Sequence, residues 1–134
     1  MSTDTIVKCF LNDEKYLTSI NGENHQFYVD EPLDYGGNDS APKPTEYLLG
    51  ALGACTAITM KMYAERKQWN LGEINVSIQL IKSNNNTENK IIKHISFQEK
   101  LSDNKIEKLL KIGEKCPISK MLAFPVKMEL ITNI

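Results

Sequence analysis

Hydrophobic and polar residues alternate in three short stretches at the beginning of the chain. These stretches cover residues 5–11, 15–20 and 25–29, and the connections between them read NDE and NGE. Alternation with a period of two is typical of strands that bury one face, and short polar connections of this kind favour hairpins. The pattern therefore predicts an N-terminal β-meander.

A different pattern follows the Gly/Pro-rich loop and predicts one long helix, residues 44–67. Pro44 suits the first turn of a helix because its missing N–H group needs no partner there, and Asn70 and Gly72 should end the helix. The first half is apolar almost all round, whereas charged residues collect in the second half. We therefore expect the first half to be buried. Its glycines and alanines would let another backbone approach closely.

The rest of the chain predicts two more strands, a second helix and a final strand. Residues 73–81 alternate cleanly, and residues 91–101 do so more loosely after an asparagine-rich turn. Ser102 is placed as the N-cap of an amphipathic helix that ends near Lys115. Cys116 is placed either as the N-cap of a helical turn that begins at Pro117 or in a tight structural turn, and residues 126–131 alternate again. Strands, helix, strands, helix and strand in this order predict an α+β fold.

Composition narrows the classes of function. A chain of 134 residues with a net charge of −1 is expected to be a single domain, residues 1–134, that folds without a metal or a disulfide framework. It has no basic stripe with interleaved aromatic residues, so nucleic acid is not an expected partner. The longest uncharged run, residues 47–60, is too short for a membrane span of about 20 residues. No secretion signal is recognisable, and the expected location is cytoplasmic.

The three cysteines, Cys9, Cys55 and Cys116, are odd in number and widely spaced, which favours reduced thiols. Free cysteine often behaves as a small buried hydrophobe, and each of the three could be structural on that ground. Cys9 lies on a predicted strand outside any motif and is expected to be a packed or edge thiol. Together with His25 and His94, the cysteines form no zinc-type spacing, and no metal ligand is expected.

Two motifs place the other cysteines in distinctive settings. The segment PTEYLLGALGACTAITMKMYAERKQWNL contains Cys55 in the predicted central helix, and the later segment EKCPISKML places Cys116 before a proline. With DEPLDYGG before the helix and EINVSIQL after it, the sequence resembles the OsmC/Ohr family of osmotically inducible and organic-hydroperoxide-resistance proteins over nearly its whole length. The helix motif is most similar to the OsmC-like subgroup.

This resemblance implies an intertwined α+β homodimer whose central helices pack together and whose active sites lie at the subunit interface. It also implies thiol-dependent reduction of organic hydroperoxides in oxidative or osmotic stress defence. Cys55 would be the peroxidatic thiol, which attacks the peroxide, and Cys116 the resolving thiol, which captures the resulting sulfenic acid. The family implies no bound cofactor but an external dithiol reductant, lipoyl-type or other.

The sequence leaves open which positive charge would stabilise a reactive thiolate. Burial disfavours the charged form of a thiol, so a buried reactive cysteine needs a nearby cation or strong donors. The family pattern has an arginine from the N-terminal strands, but the only arginine here is Arg66, about 16 Å along the helix from Cys55. Lys8 or Lys15 could replace it, or Arg66 of the partner subunit could act across a dimer.

Glu46 is the closest match to the acid that holds the family's arginine. It stands nine residues before Cys55, on the opposite side of a regular helix, and could equally be a first-turn carboxylate favoured by the helix dipole.

Two functions of different classes stay open. One is a hydroperoxide reductase that uses Cys55 and Cys116. The other is a non-enzymatic relative that binds a small apolar or acyl ligand at the dimer interface, or acts as a redox sensor. Both cysteines in their motif positions favour the first function, and the missing arginine favours the second.

Overall fold

A computed structural model describes residues 4–132 of the chain. The chain divides into two compact units, with the boundary between Leu48 and Leu49. The central helix begins in the first unit and continues through the second. The single domain expected over residues 1–134 stays a prediction.

The first unit contains the β-meander predicted from the alternation. Strands β1 (Lys8–Leu11), β2 (Thr18–Asn21) and β3 (Gln26–Val29) form an antiparallel sheet in the order β1-β2-β3. Ile20 pairs with Cys9 on one side and Phe27 on the other, which sets the register. Strand β2 begins later than predicted because residues 12–17 form the turn between β1 and β2, and β1 begins at Lys8 instead of residue 5.

Asp30 fixes the loop that leads from this sheet to the central helix. Its side chain is buried, and its two carboxylate oxygens accept hydrogen bonds from the backbone N–H groups of Glu31 (2.8 Å) and Ser40 (3.0 Å). The Ser40 bond outweighs burial and lowers the pKa of Asp30. The backbone N–H of Asp30 also donates to Pro42 O, at 3.1 Å. The loop is thereby closed just before helix α1 (Pro44–Lys67) begins.

Helix α1 has the bounds that the sequence predicted, and one stripe of it is buried. The members of that stripe are small or apolar apart from one hydroxyl: Leu52, Gly53, Thr56, Met60 and Ala64. Gly53 meets the sheet of the second unit, since a Cβ atom there would lie 3.2 Å from Cγ1 of Ile78. The opposite side, including Ala54, Ile58 and Met62, is exposed in the single chain.

The second unit packs this helix against a hairpin and a second helix. Strands β4 (Ile74–Ile81) and β5 (Lys90–Phe97) form an antiparallel pair, followed by α2 (Asp103–Gly113) and the short α3 (Pro117–Leu122). The core contains Met60, Ala64, Leu71 and Leu109. The α+β fold is confirmed.

Both predicted helix caps are confirmed. Ser102 is the N-cap of α2, where its Oγ accepts from the backbone N–H of Lys105 at 3.2 Å. Cys116 is the N-cap of α3, and Pro117 occupies the first helical position.

The predicted final strand, residues 126–131, is wrong for the chain as described. These residues form no strand, and Val126, Met128 and Leu130 are exposed. A strand requires a neighbour for its N–H and C=O groups, and β4 and β5 pair only with each other among the described residues of the second unit. Alternation alone therefore did not produce a strand here.

The contact between α1 and β4 generates a stability prediction. Replacing Gly53 by leucine forces side-chain atoms into Ile78 and should lower the free energy of unfolding by about 1–3 kcal/mol. Gly50 is the matched control, because a Cβ atom there meets nothing within 4 Å. Gly50→Ala should raise the free energy of unfolding by roughly 0.5–1 kcal/mol, because alanine favours a helix more than glycine does. Denaturant unfolding measures both, and equal effects of the two changes would contradict the packing described.

Candidate active site

Cys116 reaches helix α1 because α2 ends at a glycine. A Cβ atom on Gly113 would lie 3.3 Å from Met60 Sδ and 3.4 Å from Thr56 Cγ2, so a larger residue would hold the end of α2 away from α1. The backbone then turns tightly, with Lys115 N–H donating to Ile112 O at 3.0 Å. This turn carries Cys116 to the side of α1 on which Thr56 lies.

The Cys116 thiol is completely buried and surrounded by polar groups. Its Sγ lies 3.0 Å from Ser119 Oγ and 3.5 Å from Thr56 Oγ1, and the backbone N–H of Ser119 donates to it at 3.4 Å. Thr56 Oγ1 also lies 2.9 Å from Leu52 O, to which its hydroxyl can donate. A purely structural cysteine needs no such set of donors.

Lys93, on strand β5, supplies the positive charge at this site. Its Nζ donates to Thr56 Oγ1 at 3.0 Å, to Gly113 O at 3.2 Å and to Ser119 Oγ at 2.5 Å. An ammonium group has three hydrogens, and all three have an acceptor here. The two hydroxyls that contact Cys116 are therefore the same two that contact the cation.

Cys55 lies next to Thr56 on α1 and is half-buried, at the border between the buried stripe and the exposed side. Its thiol is close enough to Cys116 to lower the pKa of that thiol. The structure thus brings together the two cysteines that the motifs singled out.

The surroundings of Cys116 shift its acidity. Burial raises the pKa of its thiol, but the Ser119 hydroxyl, the Thr56 hydroxyl, the Ser119 N–H and the Cys55 thiol together outweigh burial. The net effect lowers the pKa from the usual 9.0 to about 7. A substantial fraction of Cys116 is then thiolate at neutral pH.

The other predicted residues, Glu46 and Cys9, belong to the first unit. Glu46 is exposed in the first turn of α1, where its Oε2 accepts from the backbone N–H of Lys43 at 3.1 Å. This is the reciprocal bond of a helix cap and agrees with the structural interpretation of Glu46. Cys9 is an exposed thiol on β1. A catalytic role for Glu46 stays a prediction.

The cations weighed from the sequence are also exposed. Lys8 lies on β1, Lys15 lies in the turn after it, and Arg66 lies in the last turn of α1.

A groove of about 350 Å³ adjoins the charged network. Lys93 and Ser119 form part of its wall, next to apolar side chains and the carboxylate of Glu114. The remaining lining residues are Leu52, Asn89, Ile91, Leu122 and Ala123. The groove can accommodate a small, partly apolar molecule beside the network.

Comparison with known proteins identifies the family. A model of the family described as "OsmC-like protein" matches residues 36–131, which include both motif cysteines. The chain belongs to the OsmC-like protein family. The resemblance noted in the sequence is therefore confirmed, although no curated protein sequence matches the chain significantly.

Solved structures of OsmC and Ohr proteins share this fold. A protein from Psychrobacter arcticus 273-4, assigned provisionally to osmotic stress and detoxification, is 18% identical, with a TM-score of 0.75 and 90% of each chain covered. The OsmC-like protein of Mycoplasma pneumoniae is 19% identical, with a TM-score of 0.72 and coverage of 92% of this chain and 89% of that one.

The organic hydroperoxide resistance protein OsmC of Legionella pneumophila is 18% identical, with a TM-score of 0.64 and coverage of 89% and 88%. At this level of identity the three structures support the fold alone.

OsmC/Ohr proteins are cofactor-free. Within residues 4–132 of this OsmC-like chain, no group of three His, Cys, Asp or Glu side chains could hold a metal ion. In the same part of the chain, no helix is long and apolar enough to cross a membrane.

Sequence reasoning missed Lys93, although one signal pointed to it. One face of β5 carries residues 91, 93, 95 and 97, and three of these four residues are Ile or Phe. A lysine within such an apolar row is costly unless it has partners, and therefore marks a candidate site.

The lowered pKa of Cys116 predicts a pH dependence of stability. The unfolded thiol binds its proton more tightly than the folded one, so the folded state gains stability as the pH rises. This contribution is fully present above pH of about 9 and is lost as the pH falls through about 7. Urea unfolding of the reduced protein across this pH window should show that the free energy of unfolding rises with pH in wild type. The rise should be smaller in Cys116→Ser. Parallel curves for the two proteins would contradict the assignment.

Proposed function

We propose that this OsmC-like protein reduces organic hydroperoxides with the cysteine pair Cys55 and Cys116. The observation that carries the proposal is the contact between a half-exposed thiol and a buried thiol whose pKa is lowered to about 7. A lowered pKa of this kind is typical of cysteines that react, whereas structural cysteines in apolar surroundings are inert. The hydroperoxide-resistance names of structural relatives support the same class of substrate.

The first step takes place at the more accessible thiol. Cys55 Sγ attacks the terminal oxygen of the hydroperoxide, and the O–O bond breaks with its electron pair going to the leaving alkoxide. The alkoxide takes the thiol proton and leaves as an alcohol, so that Cys55 becomes a sulfenic acid. The buried Cys116 is shielded from the substrate during this step.

The second step uses the buried thiolate. Cys116 Sγ attacks the Cys55 sulfur, the S–O bond breaks, and the departing hydroxide takes a proton and leaves as water. An external dithiol then reduces the Cys55–Cys116 disulfide and becomes a disulfide itself. The cycle consumes one hydroperoxide and two electrons from the dithiol.

The protein is proposed to work as a homodimer, the typical state of OsmC/Ohr proteins. The exposed side of α1 supports this, because Ile58 and Met62 are more than half exposed there in the single chain. Large exposed apolar surfaces on a soluble chain commonly mark an interface. A second copy of the chain would cover this side of α1 and complete the site. We propose that the dimer acts in the cytoplasm, in stress defence.

Peroxide consumption tests the reductase directly. With an organic hydroperoxide and a dithiol reductant, wild type should turn over, and Cys55→Ser should lose activity by a factor of about 100 or more because the attacking sulfur is absent. Cys116→Ser should lose turnover with the dithiol but still form a sulfenic acid on Cys55. Cys9→Ser is the matched control and should retain activity. Equal rates in wild type and Cys55→Ser would refute the proposal.

The disulfide itself provides a second prediction. One equivalent of hydroperoxide should join Cys55 and Cys116 within one chain and leave Cys9 free to be alkylated. The reason is proximity: the Cys55 thiol lies near enough to Cys116 to lower its pKa, whereas Cys9 is an exposed thiol on β1. Peptide mapping after alkylation identifies the pair. A bond that includes Cys9, or three unreacted thiols, would contradict the assignment.

The groove favours a second candidate function. Its apolar wall beside Lys93 and Ser119 suits a small apolar or acyl ligand, as a non-enzymatic OsmC-like relative would require. The two candidates separate in the same assay, because a protein that only binds a ligand consumes no hydroperoxide, whereas the reductase consumes many equivalents when the dithiol is in excess.

A further inference from the structure

We propose that Lys93 is the cationic positioning residue of the thiol pair. Through the hydroxyls of Thr56 and Ser119, its ammonium group holds Cys116 as a thiolate and selects Cys116 as the sulfur that leaves when the disulfide is reduced. The second part of this proposal rests on the proposed function, since it requires that the disulfide forms.

The contact with Lys93 favours one direction for the hydrogen bond between Ser119 and Cys116. Lys93 donates to Ser119 Oγ, so the hydrogen of the hydroxyl is free to point to a different atom. The acceptor at 3.0 Å is Cys116 Sγ. With the backbone N–H of Ser119, the sulfur then faces two donors from one residue, which suits a thiolate better than a thiol.

Thr56 provides the second connection between the cation and the sulfur. Its Oγ1 accepts from Lys93, and its single hydrogen has two acceptors within reach, Leu52 O at 2.9 Å and Cys116 Sγ at 3.5 Å. A negative charge on the sulfur draws this hydrogen toward Sγ, and a neutral thiol releases it to the carbonyl. The Thr56 hydroxyl can thus follow the charge state of Cys116 without movement of the backbone.

In the part of the chain that the structure describes, three charged or titratable groups bear on this sulfur or on the groove beside it. Lys93 contacts the two hydroxyls next to the sulfur from β5, the Cys55 thiol lies near it on α1, and Glu114, just after α2, lines the groove that Lys93 and Ser119 also line. Of these groups, Lys93 carries the positive charge, and both of its hydroxyl partners lie against Cys116 Sγ. Its three acceptors hold the ammonium in place.

A fixed charge beside only one of the two sulfurs makes the disulfide asymmetric. An incoming thiolate attacks Cys55 Sγ, which is the accessible sulfur, and a new S–S bond forms there. The Cys55–Cys116 bond breaks, and its electron pair goes to Cys116, where Lys93 and the two hydroxyls stabilise it. The second thiol of the dithiol then displaces Cys55. A thiol of lower pKa leaves faster, so the network around Cys116 accelerates this step.

The first experiment titrates Cys116 as the only cysteine, in a Cys9→Ser, Cys55→Ser background, by the ultraviolet absorbance of its thiolate. Lys93→Met should raise its pKa by about one unit or more, since a nearby opposite charge shifts a pKa by about that amount. Lys93→Arg should recover most of the effect. Lys90→Met is the control on the same strand and should change nothing. A titration of Lys93→Met that overlays its parent would overturn the proposal.

Ser119→Ala tests the same link with a smaller change, and keeps the proposal testable if Lys93→Met fails to fold. Removal of this hydroxyl should also raise the pKa of Cys116, whereas an unchanged value would count against the proposal. Neither titration needs a peroxide. A wild type that consumes no peroxide would therefore refute the proposed function while the titrations still decide the role of Lys93 in holding the thiolate.

The second experiment tests the leaving group, with all three cysteines present and the disulfide formed. A monothiol should be found attached to Cys55, and reduction by a dithiol should slow by about threefold or more in Lys93→Met. Lys90→Met should be reduced at the wild-type rate. A mixed disulfide on Cys116, or equal rates in Lys93→Met and wild type, would refute the leaving-group role.

Discussion

The three hydrogen bonds of one ammonium group hold the candidate site together. Lys93 projects from β5 and contacts Thr56 on α1, the last residue of α2 and Ser119 on α3. A lysine that lost these acceptors would be left desolvated and unpaired, which is costly. The charge therefore favours one arrangement of all four elements, and the position of Cys116 follows from that arrangement.

The difference between the two thiols arises from a single step along α1. Thr56 lies on the buried stripe and contacts the network, whereas Cys55, one residue earlier, is rotated by about 100° toward the exposed side. One helix thus offers a half-exposed sulfur and a hydroxyl that bonds to a buried sulfur. Gly113 adds to the geometry, since a Cβ atom there would lie only 3.3 Å from Met60 Sδ and 3.4 Å from Thr56 Cγ2.

Local signals in the sequence were enough to predict the elements that depend on neighbours in the chain. Helix α1 begins at Pro44 because of its first-turn chemistry, and Ser102 and Cys116 cap the helices that follow them. The predicted strand at residues 126–131 needed a partner edge, which no local pattern can supply. Lys93 was missed for a similar reason, because the value of a buried cation depends on acceptors that lie 20 to 37 residues away in the sequence.

The charge of Lys93 does not disappear when the thiols are oxidised. In the proposed disulfide, Cys116 would carry no negative charge, so the ammonium group would face only neutral hydroxyls and a carbonyl. The reduced state would then contain an electrostatic attraction that the oxidised state lacks. A disulfide whose reduced form is stabilised is a stronger oxidant, so the cation would raise the reduction potential of the pair. In the proposed cycle, one half-buried lysine would therefore widen the range of cellular thiols able to recycle the protein.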